Sequence, residues 1–141
     1  MVKKHWFGAY LLLIIPLCSF GQGDKRMIEE IKSHQSGTAL WWAGHNSWII
    51  KSGDLVVTTD LYLENSLRLA PSPITPEEIA TEVDISFVTH AHGDHFNEHT
   101  SRILLEKSSC IFVMPESCLE VARKLKIPEE RIVVARPRTS F

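Results

Sequence analysis

Residues 85–95 read ISFVTHAHGDH. The first four have the composition of a β-strand, and the remainder contains three histidines and one aspartate within positions 90–95. Side chains with metal-ligand chemistry therefore stand where a predicted strand ends and a loop begins. Imidazole nitrogen and carboxylate oxygen are the ligand atoms that zinc and its first-row neighbours prefer. The stretch predicts a metal-binding loop directly behind a strand.

The spacing of these four side chains indicates how they would share metal ions. His90 and His92 alternate along the chain and are expected to bind one ion. Asp94 and His95 lie further round the loop and are expected to bind a second. Gly93 suits the tight backbone between the two pairs, because glycine tolerates positive φ and close approach. A polar surface turn rich in histidine is the alternative, but the complete pattern behind a strand favours metal binding.

Length and composition fit one globular domain. The chain has 141 residues, of which 44% are hydrophobic, and this is too apolar for a disordered segment. The formal net charge is −2, and no run of lysine and arginine is present. Bulk electrostatics therefore gives no reason to expect nucleic acid or an anionic membrane as a partner.

The three cysteines do not form a zinc-binding pattern. Cys18 lies in an N-terminal apolar segment, Cys110 begins a predicted strand, and Cys118 begins a predicted helix. No Cys-x-x-Cys spacing occurs. Whether Cys110 and Cys118 could pair depends on geometry that sequence does not specify, and two separate thiols is the favoured interpretation.

Residues 1–21 have the pattern of a secretory signal. Lys3 and Lys4 precede an apolar run at 11–15, Pro16 ends that run, and a cut is expected after Gly21. The apolar run is shorter than the roughly 20 residues that a membrane span needs, although an uncleaved anchor is the alternative. We therefore expect an exported protein, periplasmic or extracellular, with no stable membrane span after signal removal.

The rest of the chain alternates predicted strands and helices. Strands are expected at 40–42, 47–50, 55–59, 85–88, 110–114 and 131–135. Helices are expected at 23–34, 75–80, 97–107 and 116–125. Trp41, Trp42 and Trp48 are interpreted as core or rim packing. The strand–helix alternation in the second part predicts parallel pairing with right-handed crossovers.

The His-x-His-x-Asp-His pattern at 90–95 resembles that of the metallo-β-lactamase superfamily of metallohydrolases. The resemblance spans 39–134. It is closest to the branch with ascorbate-6-phosphate lactonase-like proteins and phospholipase D-type enzymes acting on N-acylated phospholipids. It implies an α/β fold, the first half of an αββα sandwich, with a mixed sheet and flanking helices. Residues 22–141 would then form an incomplete domain. The family takes two more histidines and a bridging aspartate from its second half, whereas here no histidine follows His99 and no aspartate follows Asp94.

The resemblance also implies roles for individual residues. Asp60, at the end of the 55–59 strand, would hold the outer ring nitrogen of a motif histidine, although an ordinary strand-end turn is the alternative. His45, in a Gly-His turn, would line the active site and contact substrate, or would merely bond locally. Asp94 would bind metal and help orient the attacking water. The cofactor would be zinc, with two ions in a complete family member and manganese or iron as alternatives.

Two functions follow as hypotheses. The first is a metal-dependent hydrolase in which metal-activated water cleaves an ester, lactone, amide or phosphodiester in a small-molecule substrate, in a truncated or fragmentary form. The second is a non-catalytic metal-binding or assembly module that keeps only the loop at 90–95. A homo-oligomer could complete a half-domain of either kind. A β-lactamase in the strict sense is the weakest interpretation, because no residue favours it.

Overall fold

The computed structural model describes residues 26–64, 66 and 68–137. The export signal predicted for residues 1–21 lies outside these ranges and stays a prediction. Within them, no helix combines the length and the apolar character that a membrane span requires.

A six-stranded mixed sheet forms the centre of the fold, with its strands side by side in chain order. The strands are β1 (Thr38–Trp42), β2 (Trp48–Ser52), β3 (Leu55–Thr59), β4 (Ile85–Phe87), β5 (Ile111–Pro115) and β6 (Ile132–Ala135). Short turns join β1, β2 and β3 as antiparallel neighbours, and β3 to β6 run parallel. The predicted parallel pairing in the second part of the chain is confirmed.

Four α-helices are present in the described ranges: α1 (Met27–Ser33), α2 (Pro76–Ile79), α3 (Glu98–Lys107) and α4 (Leu119–Lys124). Helix α2 begins with a capping box, because the Thr75 side chain accepts from Glu78 N–H while the Glu78 carboxylate accepts from Thr75 N–H. Helix α3 has Asn97 as its N-cap, and the Asn97 side chain accepts from Thr100 N–H at 2.8 Å. Each connection between parallel strands from β3 onward contains one of α2, α3 and α4, as connections of this kind usually do.

The hydrophobic core lies between the helices and one face of the sheet. Ile49, Val56 and Phe112 point into it from the strands and are at most 2% exposed. Ile31 of α1 and Leu104 of α3 cover them from the helical side. Burying a side chain of this size contributes about 1.5–3 kcal/mol, so each of these residues stabilises the packing of the helices on the sheet.

The opposite face of the sheet is apolar and partly exposed. The strand register puts Leu40, Trp42 and Trp48 of the antiparallel hairpin on this face together with Val133 of β6. Trp42 is 58% exposed and Trp48 42% exposed. Of the three tryptophans interpreted as core or rim packing, Trp41 packs against the core. The core alternative does not hold for Trp42 and Trp48, because the helices of the described residues pack on the other face, and the rim alternative stays open for them.

Cys110 and Cys118 are buried free thiols, as the interpretation of two separate thiols predicted. Burial raises the pKa of the Cys118 thiol, and the nearby Asp60 carboxylate adds to this effect, while a hydrogen bond with Ser117 opposes it.

Candidate metal site

The metal-ligand side chains stand at one edge of the sheet, where the parallel strands β3 and β4 end. Asp60 follows β3 and residues 88–95 follow β4. The two segments are tied together, because Asp60 N–H donates to Phe87 O at 2.9 Å. Asp60 has a φ of 45°, in the left-handed region that residues with a Cβ rarely adopt. With this backbone the Asp60 carboxylate reaches the loop after β4.

Within the described part of the chain, His90, Asp94 and His95 form the group that could hold a metal ion. Each offers one ligand atom, and these atoms lie within 4.8 Å of one another. The His90 and His95 ring centroids are 3.7 Å apart, and Asp94 Oδ2 lies 3.8 Å from His95 Nε2. Two imidazoles and one carboxylate thus surround a common point.

His92 lies outside this group and is exposed. Its ring centroid is 4.8 Å from that of His90, with the two rings nearly perpendicular. The structure gathers His90 with Asp94 and His95, and the predicted division of the four residues between two ions, with His92 beside His90, stays a prediction. A tight turn shapes this arrangement: His95 N–H and Phe96 N–H both donate to His92 O, at 2.9 and 2.7 Å. This turn brings His95 back beside His90 and leaves the His92 side chain in solvent.

The Asp60 carboxylate is buried beneath this group and contacts two residues of the loop. Its Oδ2 lies 3.0 Å from His95 Nδ1. Its Oδ1 accepts from Thr89 N–H at 2.7 Å, and its Oδ2 accepts from the Thr89 hydroxyl at 2.8 Å. This is the geometry of an acceptor that holds the outer nitrogen of a ligating imidazole. The functional role of Asp60 stays a prediction.

His45 approaches the same group from the turn between β1 and β2. Its Nε2 donates to Asp94 Oδ2 at 3.3 Å, and its φ of 53° is left-handed. The hydrogen bond from His45 lowers the pKa of the Asp94 carboxyl; the charges of His95 and His45 act in the same direction, and desolvation opposes them. A lowered pKa keeps Asp94 ionised, the form in which a carboxylate binds metal.

A cleft of about 720 Å³ opens beside the group. His45, Tyr62, Glu64, Asp94 and Asn97 are among the residues that line it. His45 and Asp94 therefore both border the cleft. Contact between His45 and a substrate stays a prediction, with the cleft as the space in which it would occur.

Two residues of the turn between β1 and β2 contribute contacts that the sequence did not predict. The Asn46 amide lies 2.7 Å from His95 Nε2. The fully buried Ser47 hydroxyl donates to Asp60 O at 3.0 Å and accepts from Tyr62 N–H at 2.7 Å. The available signal was their position directly after His45, in a turn that the resemblance had already placed near the site.

Arg68 supports this turn from the other side. Its guanidinium donates to Gly44 O and to Tyr62 O. Gly44 has a φ of 87°, and a Cβ at this position would lie 2.5 Å from Arg68 Nη1. Burial lowers the pKa of Arg68. The glycine thus allows the arginine to approach the backbone that precedes His45.

The donor set fits a divalent first-row ion. Catalytic zinc sites usually take three protein ligands and leave one position for water or substrate, and His90, Asp94 and His95 supply that number of nitrogen and oxygen donors. The half-buried imidazole of His95 already has an acceptor at its second nitrogen, which such a ligand requires. Manganese and iron accept the same donor types.

Solved structures share this architecture. A metallo hydrolase from Ignicoccus hospitalis, Igni18, superposes with a TM-score of 0.54 at 20% identity, over 70% of this chain and 40% of that one. A diiron β-hydroxylase from Streptomyces venezuelae, CmlA, gives a TM-score of 0.54 at 16% identity, over 72% of this chain and 21% of that one. These likenesses confirm the predicted fold class, an α/β fold with a mixed sheet and flanking helices.

Sequence relatives lead to the same family. A UPF0173 metal-dependent hydrolase of Hyperthermus butylicus is 30% identical over 94 residues, covering 67% of this chain and 39% of the relative. A probable L-ascorbate-6-phosphate lactonase of Salmonella heidelberg is 22% identical, covering 70% of this chain and 36% of the relative. This chain thus spans less than two fifths of the length of these curated relatives. A family model described as the β-lactamase superfamily domain matches residues 39–130, most of the chain, which therefore belongs to the metallo-β-lactamase superfamily.

Proposed function

We propose that this chain carries the metal-binding loop of a metal-dependent hydrolase. The observation that supports the proposal most directly is the gathering of His90, Asp94 and His95 beside a cleft. Membership in the superfamily and the likeness to a metal-dependent hydrolase agree with it. Zinc is the ion we propose, because it favours this mixture of imidazole and carboxylate ligands.

Each residue of the site has a proposed role in metal binding or in contact with substrate. When bound, a divalent ion would supply an activated water for attack on a carbonyl or phosphoryl centre. His90 and His95 would hold the ion through ring nitrogens, and Asp60 would keep His95 oriented. Asp94, kept ionised by its hydrogen bond with His45, would bind the ion and orient the attacking water. His45 would form part of the cleft wall beside Asp94.

The substrate class we propose is a small molecule with an ester, lactone, amide or phosphodiester bond. The likeness to a probable L-ascorbate-6-phosphate lactonase supports a lactone or another carboxylic ester first. The proposed location outside the cytoplasm argues against a cytoplasmic sugar phosphate. The cleft has room for a small ligand, because such sites usually enclose about 300–1,000 Å³.

A non-catalytic metal-binding module is the second candidate. The observation that favours it is the position of His92, which is exposed and outside the ligand group. A site with three protein ligands can hold one ion, whereas the two-ion arrangement expected for a complete family member needs more. This candidate predicts metal binding without turnover.

The test is metal content and hydrolysis measured on the same purified chain. Zinc stoichiometry and affinity would be determined beside turnover of a simple lactone, an aryl ester and a phosphodiester. We expect one zinc ion per chain, and loss of that ion in His90→Ala and His95→Ala. His99→Ala is the matched control, because His99 is exposed and close in sequence but lies outside the group.

The results separate the two candidates. Zinc binding that depends on His90 and His95, together with hydrolysis of any of the three probes, supports the hydrolase. Zinc binding without hydrolysis supports the module. A chain that binds no zinc, or that binds it equally well as His90→Ala, His95→Ala and His99→Ala, would contradict both.

A further inference from the structure

The Thr89 hydroxyl stands at the centre of the hydrogen bonds beneath the proposed metal site. Its Oγ1 lies 2.8 Å from Asp60 Oδ2, 3.2 Å from His90 Nδ1 and 3.2 Å from His95 Nδ1. The two histidines that could bind metal therefore meet the same hydroxyl with the same ring nitrogen.

Counting donors fixes the direction of these bonds. A threonine hydroxyl has one hydrogen and two lone pairs, and an ionised carboxylate only accepts. The hydroxyl hydrogen therefore goes to Asp60 Oδ2, which is its closest partner. The two lone pairs that remain face His90 Nδ1 and His95 Nδ1, and each of these nitrogens must carry the hydrogen for a bond to form.

The His95 contacts agree with this assignment from the other side of the ring. Its Nδ1 also lies 3.0 Å from Asp60 Oδ2, an acceptor that requires N–H there. Its Nε2 lies 2.7 Å from the Asn46 amide nitrogen, a donor that requires a lone pair there. His90 differs, because Thr89 is the hydrogen-bond partner that the structure gives its Nδ1.

We propose that Thr89 is a positioning residue that fixes His90 as the Nδ1–H tautomer and so leaves the lone pair on its Nε2 for a metal ion. The hydrogen bond at one imidazole nitrogen sets which nitrogen is left to bind metal. His95 is fixed in the same form by Asp60, with Thr89 as a second acceptor. The consequence for metal binding rests on the proposed function, whereas the tautomer assignment does not.

Two substitutions separate the hydroxyl from the shape of the side chain. Thr89→Val keeps the branched shape and removes the hydroxyl, and Thr89→Ser keeps the hydroxyl. Long-range ¹H–¹⁵N spectra of ¹⁵N-histidine-labelled chain, recorded at about pH 8, report which ring nitrogen of each histidine carries the hydrogen. Spectra of His90→Gln and His95→Gln assign the two signals.

We expect the unmodified chain and Thr89→Ser to hold both His90 and His95 as Nδ1–H. In Thr89→Val, His90 should shift towards Nε2–H while His95 keeps its form, because Asp60 still accepts from it. Zinc affinity, measured by competition with a chelator, should fall about 10- to 100-fold in Thr89→Val and should be largely restored in Thr89→Ser. The His95 signal is the internal control for a general loss of structure.

An Nε2–H form of His90 in the unmodified chain would overturn the proposal without any variant. An unchanged His90 signal in folded Thr89→Val would overturn it as well. The expected tautomers in a chain that binds no zinc would leave Thr89 as a positioning residue and would contradict the proposed function. Normal zinc affinity in Thr89→Val would contradict only the expected effect on metal binding and would leave the tautomer assignment in place.

Discussion

Asp60 has a left-handed backbone and is only 5% exposed. Its carboxylate accepts hydrogen bonds from Thr89 N–H, Thr89 Oγ1 and His95 Nδ1. A left-handed conformation at a residue with a Cβ costs about 1–2 kcal/mol, and a buried carboxylate needs hydrogen bonds to offset its desolvation. Both costs occur at the position that orients the metal loop. Strain of this kind clusters where surrounding structure holds a residue for function.

Replacing Asp60 by asparagine should destabilise the chain by about 1–3 kcal/mol, because the amide brings a donor to a place where three donors already point. Urea unfolding monitored by circular dichroism measures the change. Asp54→Asn is the matched control, because Asp54 is an exposed residue of the turn between β2 and β3. Equal stabilities of the two variants would contradict the importance of the Asp60 contacts.

The buried thiol of Cys118 should make stability depend on pH in the alkaline range. Burial raises the pKa of this thiol above its ordinary value, so the folded chain favours the neutral form. Its contribution is complete below the ordinary pKa and is lost as pH rises towards the folded value. The free energy of unfolding should fall less steeply between about pH 8 and pH 10 in Cys118→Ala than in the unmodified chain. Parallel slopes would show that the thiol does not ionise differently in the two states.

Single residues of the site were predictable to different degrees. His90, Asp94 and His95 carry metal-ligand chemistry in their side chains, so their spacing alone predicts a site. Thr89 and Asn46 do not, because hydroxyl and amide groups occur in most turns. Their contacts appear only once the ends of β3 and β4 and the turn before β2 are brought to the same edge.

At the scale of elements, the turn between β1 and β2 connects two distant parts of the chain. Trp42 Nε1 donates to His45 O at 3.0 Å and Ser47 N–H donates to Gly44 O at 3.0 Å, which closes the turn on itself. Arg68, from the loop after β3, then bonds to Gly44 O. The position of His45 beside Asp94 therefore depends on a loop more than twenty residues away in sequence.

Gly44→Ala should destabilise the chain more than Gly37→Ala. Both glycines have left-handed backbones, with φ of 87° and 73°, but a Cβ at Gly37 meets nothing within 4 Å, whereas one at Gly44 meets Arg68 Nη1. The shared backbone cost is about 1–2 kcal/mol, and displacing the Arg68 hydrogen bonds adds about 0.5–1.5 kcal/mol for each bond lost. Urea unfolding compares the two variants, and equal losses would show that Arg68 moves aside without cost.

The elements themselves were largely predictable, because strand and helix periods are local signals. Every predicted strand is present, and α2 shows the capping box at Thr75 and Glu78. Helix α1 begins at Met27, and residues 23–25 of the predicted helix lie outside the described ranges. The burial of Lys51 was harder to predict than the elements. The alternation of side chains along β2 puts Lys51 on the core face, where its ammonium donates to Ile31 O at 2.8 Å. A buried lysine of this kind is acceptable only because the end of α1 offers an unpaired carbonyl.

At the scale of the whole molecule, the sheet has one face packed against helices and one face that is apolar and partly exposed. All six strands contribute hydrophobic residues to this second face, including Ile50, Val57, Phe87 and Val113 near the middle. The chain also spans less than two fifths of the length of its curated relatives. The resemblance had already implied an incomplete domain. The uncovered face could not be read from local patterns, because a strand buried on one face and a strand buried on both differ only in their neighbours.

The exposed apolar face should make this chain associate with itself. Contiguous apolar patches larger than a few hundred Å² are rare on monomers and favour association, and Leu40 and Val133 lie at opposite ends of this face with 60% and 37% exposure. Sedimentation velocity across the micromolar range should show an average mass that rises with concentration.

The double variant Leu40→Lys with Val133→Lys should have a lower average mass, because burying two lysine charges in the interface costs more free energy than the apolar contacts there contribute. Gln35→Lys is the control for added charge, since Gln35 is exposed and precedes β1. A chain that stays monomeric at every concentration, or that dissociates equally with Gln35→Lys, would contradict association through this face.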